Sequence, residues 1–197
     1  MNHLEKENPV SATAHTITSP RTATLRVVAR WLVSFAGFPL GGLAAMLLVG
    51  RIDTLPAAAL GGLVTGTVLG AVQAWALRLD RRTALAWMAA TAVGLAVGLT
   101  IGGGVVGFGT TLGDLALQGA ICGAVVGLAQ AVVLRRFGPI ATAWPAYLAG
   151  AWALGWTITT SIGVQVTDHF TVFGAAGAVT VAALTSVLPL VLSRSTR

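Results

Sequence analysis

The sequence predicts an all-α integral membrane protein with six transmembrane helices, arranged as three pseudo-repeated antiparallel hairpins. Three observations carry this. Of 197 residues, 55% are hydrophobic and only 9% charged, with a mean hydropathy of +0.84, whereas a soluble domain carries about 25% charged residues. Apolar runs of about twenty residues, the length that spans a bilayer, recur along the chain. And one apolar segment matches a second at a spacing of 57 residues. This composition excludes a disordered chain, a nucleic-acid-binding domain and an ordinary cytosolic enzyme.

Residues 1–25 are polar and rich in Ser and Thr, with no short apolar core before a small-residue cleavage site. They are expected to be a disordered cytoplasmic tail rather than a cleaved signal peptide. The membrane domain is expected over 26–193, with hairpins 26–79, 80–136 and 137–193, and a cytoplasmic C-terminus at 194–197. The six expected spans are Val27–Val49, Pro56–Leu77, Ala84–Val106, Leu115–Leu134, Trp144–Val166 and Phe170–Leu192. The breaks between them are short, which favours antiparallel neighbours.

Charge gives the orientation. The net charge is +6, from twelve basic and six acidic residues. Lys6, Arg21, Arg26, Arg30, Arg78, Arg81, Arg82, Arg135, Arg136, Arg194 and Arg197 fall on one predicted side, and only Arg51 on the other. Cytoplasmic loops carry such an excess, so both termini are expected in the cytoplasm. The opposite side carries Asp53, Asp114 and Asp168.

The repeat is the most specific feature. Gly62, Gly66, Gly70, Gln73, Leu77 and Arg78 align with Gly119, Gly123, Gly127, Gln130, Leu134 and Arg135, and Trp87 with Trp144, all at the same offset. A fainter third copy has Trp31 near the start of the first span. There Asp168 and Gly177 echo Asp114 and Gly123, with Leu184 where the Gln would stand. Glycines every four residues lay a smooth stripe along one helix face, and such stripes let backbones pack closely in lipid. Gln73 and Gln130 continue that face. Each amide is expected inside a helix interface, either as interhelical glue bonded to a neighbouring carbonyl or as part of a site lined by two equivalent amides, with glue favoured.

Asp114 and Asp168 each precede a helix, where a carboxylate caps free N–H groups and complements the dipole; an acidic mouth for cations is the rival reading. Trp31, Trp87 and Trp144 stand where interfacial aromatic belts anchor. Trp152 and Trp156 lie mid-span, with packing favoured over a cofactor wall. The run Gly102–Gly104 is expected to fray into a loop.

Several chemistries lack their residues. No expected span holds a central Lys, Arg, Glu or His, so no proton relay or retinal attachment is expected. Ser34, Ser161 and Ser186 have no histidine partner within the spans. The single Cys122 and three His, two of them His3 and His15 in the tail, assemble no metal site. No catalytic residue and no cofactor is expected, and no nucleic-acid partner. The expected partners are the lipid bilayer and either another membrane protein or a further copy of this chain.

The G-x3-G-x2-Q-x3-L-R stretch, followed by a Trp-opened helix over 62–101 and 119–158, resembles a repeat of uncharacterised bacterial polytopic membrane proteins. The resemblance implies a multi-spanning inner-membrane protein and transfers no site residue. Two functions follow as expectations: a small-molecule permease or channel-like protein, with Gln73, Gln130, Asp114 and Asp168 as its polar residues, or a non-catalytic accessory or scaffold subunit.

Overall fold

The computed structural model describes residues 20–163 and 174–195, all as helices and short connections, with no strand among the described residues. The helices are α1 (Pro20–Leu32), α2 (Gly37–Leu48), α3 (Leu55–Leu77), α4 (Arg81–Val105), α5 (Leu112–Leu134), α6 (Pro139–Ser161), α7 (Ala175–Thr185) and α8 (Val187–Ser195). Five stretches are long and apolar enough to cross a membrane: Thr22–Leu48, Leu55–Leu77, Arg81–Val105, Leu112–Phe137 and Ala175–Leu192. The expected span at Trp144–Val166 corresponds to α6, which is long enough but not among these five. Its Trp, Tyr, Pro and Thr content lowers its hydropathy. Helix α1 starts at Pro20, inside the expected tail, whose residues 1–19 lie outside the described residues.

Helices α3, α4 and α5 are continuous and individually capped. Thr54 accepts from the Ala57 N–H to open α3. Asp80 opens α4, accepting from the N–H groups of Arg82 and Thr83 at 3.0 and 3.2 Å and from the Thr83 hydroxyl at 2.6 Å. Thr111 and Asp114 form a reciprocal capping box on α5. Asp114 thus fulfils the expected capping role from the helix's first turn, with Thr111 as the N-cap. Helix α4 runs through Gly102–Gly104 to Val105 without fraying. Gly102 packs on Gln118 and Gly103 on the Phe108 ring, so the run is held by neighbours.

The first and last apolar stretches are broken. Between α1 and α2 the backbone tightens into a 3₁₀ turn at Val33–Ala36, and α7 ends at Thr185 before α8 begins at Val187. Proline explains both breaks. It lacks an N–H and its ring crowds the carbonyl four residues back. For Pro39 that carbonyl belongs to Phe35, within the break, and for Pro189 to Thr185, the last residue of α7 before it.

From α2 to α7 each helix packs on the next, most extensively α3 on α4 and α5 on α6. The glycine stripes cause this. A Cβ on Gly66 would stand 2.6 Å from the Ala92 Cα, and one on Gly70 would stand 2.9 Å from the Met88 Cα. On Gly127 it would stand 2.6 Å from the Pro145 Cα, and on Gly123 2.9 Å from the Ala149 Cα. Gly62 meets Leu95 and Ala96, and Gly119 meets Trp152. The contacts of Gly62 with Leu95, Gly66 with Ala92 and Gly70 with Met88 have counterparts 57 positions on, in those of Gly119 with Trp152, Gly123 with Ala149 and Gly127 with Pro145. These close pairs straddle the expected hairpin boundaries at 79/80 and 136/137. Packing also brings α7 and α8 back against α1, so the two broken ends of the chain lie together.

Candidate functional site

Two polar places stand out in this apolar body. The first lies inside it. Trp87 donates its indole N–H to Gln73 Oε1 at 3.0 Å, and Trp144 donates to Gln130 Oε1 at 2.8 Å. Both pairs span fourteen residues of chain. Helix α3 descends to the turn at Arg78 and α4 returns from it, so a residue one turn before the first helix's end faces one two turns into the next. The same geometry recurs at α5 and α6.

The two pairs meet. Gln130 Nε2 donates to Gln73 Oε1 at 3.4 Å and to the Thr91 hydroxyl at 2.9 Å, and Thr91 donates in turn to the Trp87 carbonyl. The third tryptophan joins from the chain's first helix: Trp31 donates to the Ala182 carbonyl at 3.0 Å and to Thr185 Oγ1 at 3.1 Å. Ala182 and Thr185 are close in sequence to Leu184, where the expected third copy would carry its Gln. Around these groups is a cavity of about 10 Å³, lined by Ser34, Gln73, Gln130, Trp144 and Thr185 among others. This is about the space of one water.

The tryptophans correct an expectation. Trp31, Trp87 and Trp144 are 1%, 1% and 2% exposed, so they are core residues rather than members of an exposed belt. A run of small residues on the facing helix leaves room for an indole, and each indole N–H finds an acceptor there. Trp152 and Trp156 are core residues too, with Trp152 edge-on to Phe38 at 5.5 Å between centroids. Tyr147 stacks on Trp144 and donates to the Leu184 carbonyl.

Of the expected site residues, Gln73 and Gln130 are brought together. Their partners are each other, tryptophans and Thr91, where backbone carbonyls were expected. Asp114 is not with them: sixteen residues of helix separate it from Gln130, roughly 24 Å at the helical rise. Asp168 lies outside the described residues. Thr91 and Thr185 were missed by sequence reasoning. A Thr four residues after a Trp carries no signal by itself, because mid-helix threonines commonly bond the carbonyl of residue i−4, as Thr100, Thr157 and Thr180 do here. Thr159 breaks that habit: its hydroxyl is buried and has no hydrogen-bond partner among the described residues.

The second polar place is at the end of the body where the 77–83 turn, the 133–137 turn, α1 and α8 converge. A cavity of about 350 Å³ there is lined by Arg30, Arg78 and Arg136, with Asp80, Trp87 and Phe137. Arg30 is anchored by its Nε–H, which donates to the Ala76 carbonyl at 2.6 Å and so caps the end of α3. Arg78 sits in left-handed backbone, φ 55°, where α3 ends. The Arg136 guanidinium lies 4.9 Å from the Phe137 ring centroid. Hydrogen bonds from the Thr83 hydroxyl, then from backbone N–H groups, hold the Asp80 carboxyl below its ordinary value. Among the described residues the one ion pair is Arg51–Asp53 at 3.5 Å, at the opposite end. No group of three or more metal-ligating side chains occurs among the described residues. No family model, curated protein or solved structure matches the chain.

Proposed function

We propose that this chain is a polytopic membrane protein of the bacterial inner membrane with both termini in the cytoplasm, serving as a non-catalytic accessory or scaffold subunit. The membrane reading rests on the exterior. Leu47, Leu60, Val93, Val105, Leu128 and Val132 are exposed on helices long enough to span, and water would not tolerate such a continuous apolar surface. Lipid is the solvent that fits it. The matching offsets of the two glycine interfaces favour duplication of one helix pair. In that scheme α7 and α1 form the third pair, divided between the chain's ends, with Trp31 and Thr185 as its indole and acceptor.

The observation that carries scaffold over permease is the state of the amides. Gln130 is 2% exposed with both its oxygen and its nitrogen bonded, and the space beside it holds about one water. Polar groups so completely partnered hold helices together. The second reading keeps one observation of its own: Gln73 is half-buried, lines the cavity, and its Nε2 donates to no described residue. A permease would use that group.

Extraction decides the membrane reading: the chain should resist alkaline carbonate and dissolve only in detergent. Native mass spectrometry of the tagged protein from its own membranes decides the role. A fixed-ratio complex with another membrane protein is expected for a scaffold. A lone chain whose solute flux in liposomes falls on the paired change Gln73→Leu and Gln130→Leu would establish the permease instead.

A further inference from the structure

The cavity at the basic end has features that internal packing does not account for. Three arginines line it with a single carboxylate, and that carboxylate already accepts from the Thr83 hydroxyl and from the backbone N–H groups of Arg82 and Thr83. The arginines come from separate parts of the chain: Arg30 from α1, Arg78 from the end of α3, Arg136 from the turn after α5. Like charges gathered around one cavity repel unless an anion joins them. None of the three has a carboxylate within ion-pair distance among the described residues. Arg78 also occupies left-handed backbone, which a glycine would hold more easily, so an arginine there costs stability rather than adding it.

The surroundings specify the anion further. The walls are apolar, from Val27, Leu77, Val133 and Leu192. Arg30, Arg78 and Leu79 also line a second, open groove of about 650 Å³, which continues over Ala71, Trp75 and Met88 on the outer faces of α3 and α4. A charged recess thus opens onto an apolar furrow running along the helices. Guanidinium forks match phosphate oxygens in pairs, and basic pockets between helices at the membrane boundary suit lipid head groups. A free anion would leave the furrow without a role; an amphiphile fills both.

We propose that this recess binds the phosphate-bearing head group of an anionic membrane lipid, held by Arg30, Arg78 and Arg136, with an acyl chain along the furrow beside Trp75 and Met88. The proposal rests on the membrane reading, and carbonate extraction tests that reading separately.

The experiment uses the full chain in neutral detergent, with lipid adducts counted by native mass spectrometry. The probes are phosphatidylglycerol, diacylglycerol of the same acyl chains, and inorganic phosphate. Phosphatidylglycerol should be retained at least about tenfold over diacylglycerol, the effect of some 1.4 kcal/mol of charge-assisted bonding. The double variant Arg78→Gly with Arg136→Gln should abolish that preference. It keeps Arg30 on Ala76 and eases the backbone at 78, so folding is preserved. The control Arg81→Gln with Arg82→Gln removes two exposed charges from the same end, outside the recess, and should leave the preference intact. Equal retention of both lipids would overturn the proposal. So would an equal loss in the control, which would mean diffuse surface charge. Displacement of phosphatidylglycerol by inorganic phosphate at equal concentration would overturn the lipid assignment in favour of a soluble anion.

Discussion

The interior amide cluster and the basic recess are both polar, both lie in an apolar body, and Trp87 touches both. They differ in how their charges and dipoles are answered. Inside, each indole N–H has an acceptor and Gln130 has no bonding group left over. At the recess, arginines outnumber carboxylates three to one among the described residues that line it. A polar group enclosed with its partners adds to assembly. At the recess Arg30 is tied to the fold through the Ala76 carbonyl, and the proposed head group answers the charges that remain. The first region should therefore fail by unfolding and the second by losing a ligand.

The sharpest way to break the contrast is to separate the helices that build the interior cluster. Gly66→Leu would drive a side chain into the Ala92 Cα and the Thr91 carbonyl, backbone that cannot move aside. It should cost at least about 3 kcal/mol or prevent assembly. Gly150→Ala, a helical glycine with open space where its Cβ would go, should instead stabilise by about 0.5–1 kcal/mol. Thermal unfolding in detergent measures both, and equal effects would mean that the glycine stripe does not set the packing.

Next in size is Gln130→Leu. It leaves the Trp144 N–H buried without an acceptor and should cost about 2 kcal/mol. Gln73→Leu, at a half-buried position, should cost about half that. If the order reversed, Gln73 would be the keystone and the permease reading would gain.

Arg78→Gly should act oppositely in the two assays, raising stability by about 0.5–1 kcal/mol through relief of the left-handed backbone while weakening lipid retention. A fall in both would make Arg78 a structural residue.

The smallest effect is at Asp80. Its native pKa lies below the unfolded value of 3.8, so its capping contribution is fully present above that pH. As pH falls through the lowered native value, the contribution disappears. Asp80→Asn should flatten that acid limb in a pH series of unfolding midpoints. An unchanged limb would place the acid sensitivity elsewhere.

Much of this body can be read along the chain. Hydropathy and run length are local properties, so helices over most of Pro56–Leu77, Ala84–Val106 and Leu115–Leu134 were expected nearly where they stand. The glycine spacing announced a close interface, and the position of each Gln on that face announced an amide in it, buried at Gln130 and half-buried at Gln73. The breaks at 33–36 and 186 were less legible, because Pro39 and Pro189 act on carbonyls four residues upstream. The tryptophans misled for a related reason. A Trp near a span's end fits an interfacial belt and a core equally well until its neighbours are known.

The sequence by itself determined that the chain is helical and apolar, and which helix faces are smooth enough to touch. Only the tertiary structure decided what touches them. A glycine stripe has no side chain to specify its partner, so the pairing of α3 with α4 and α5 with α6 emerges from the fit of whole surfaces. The gathering of Arg30, Arg78 and Arg136 is likewise invisible in one dimension. Each is an ordinary boundary arginine in its own segment, and only helix packing turns three separate charges into one recess.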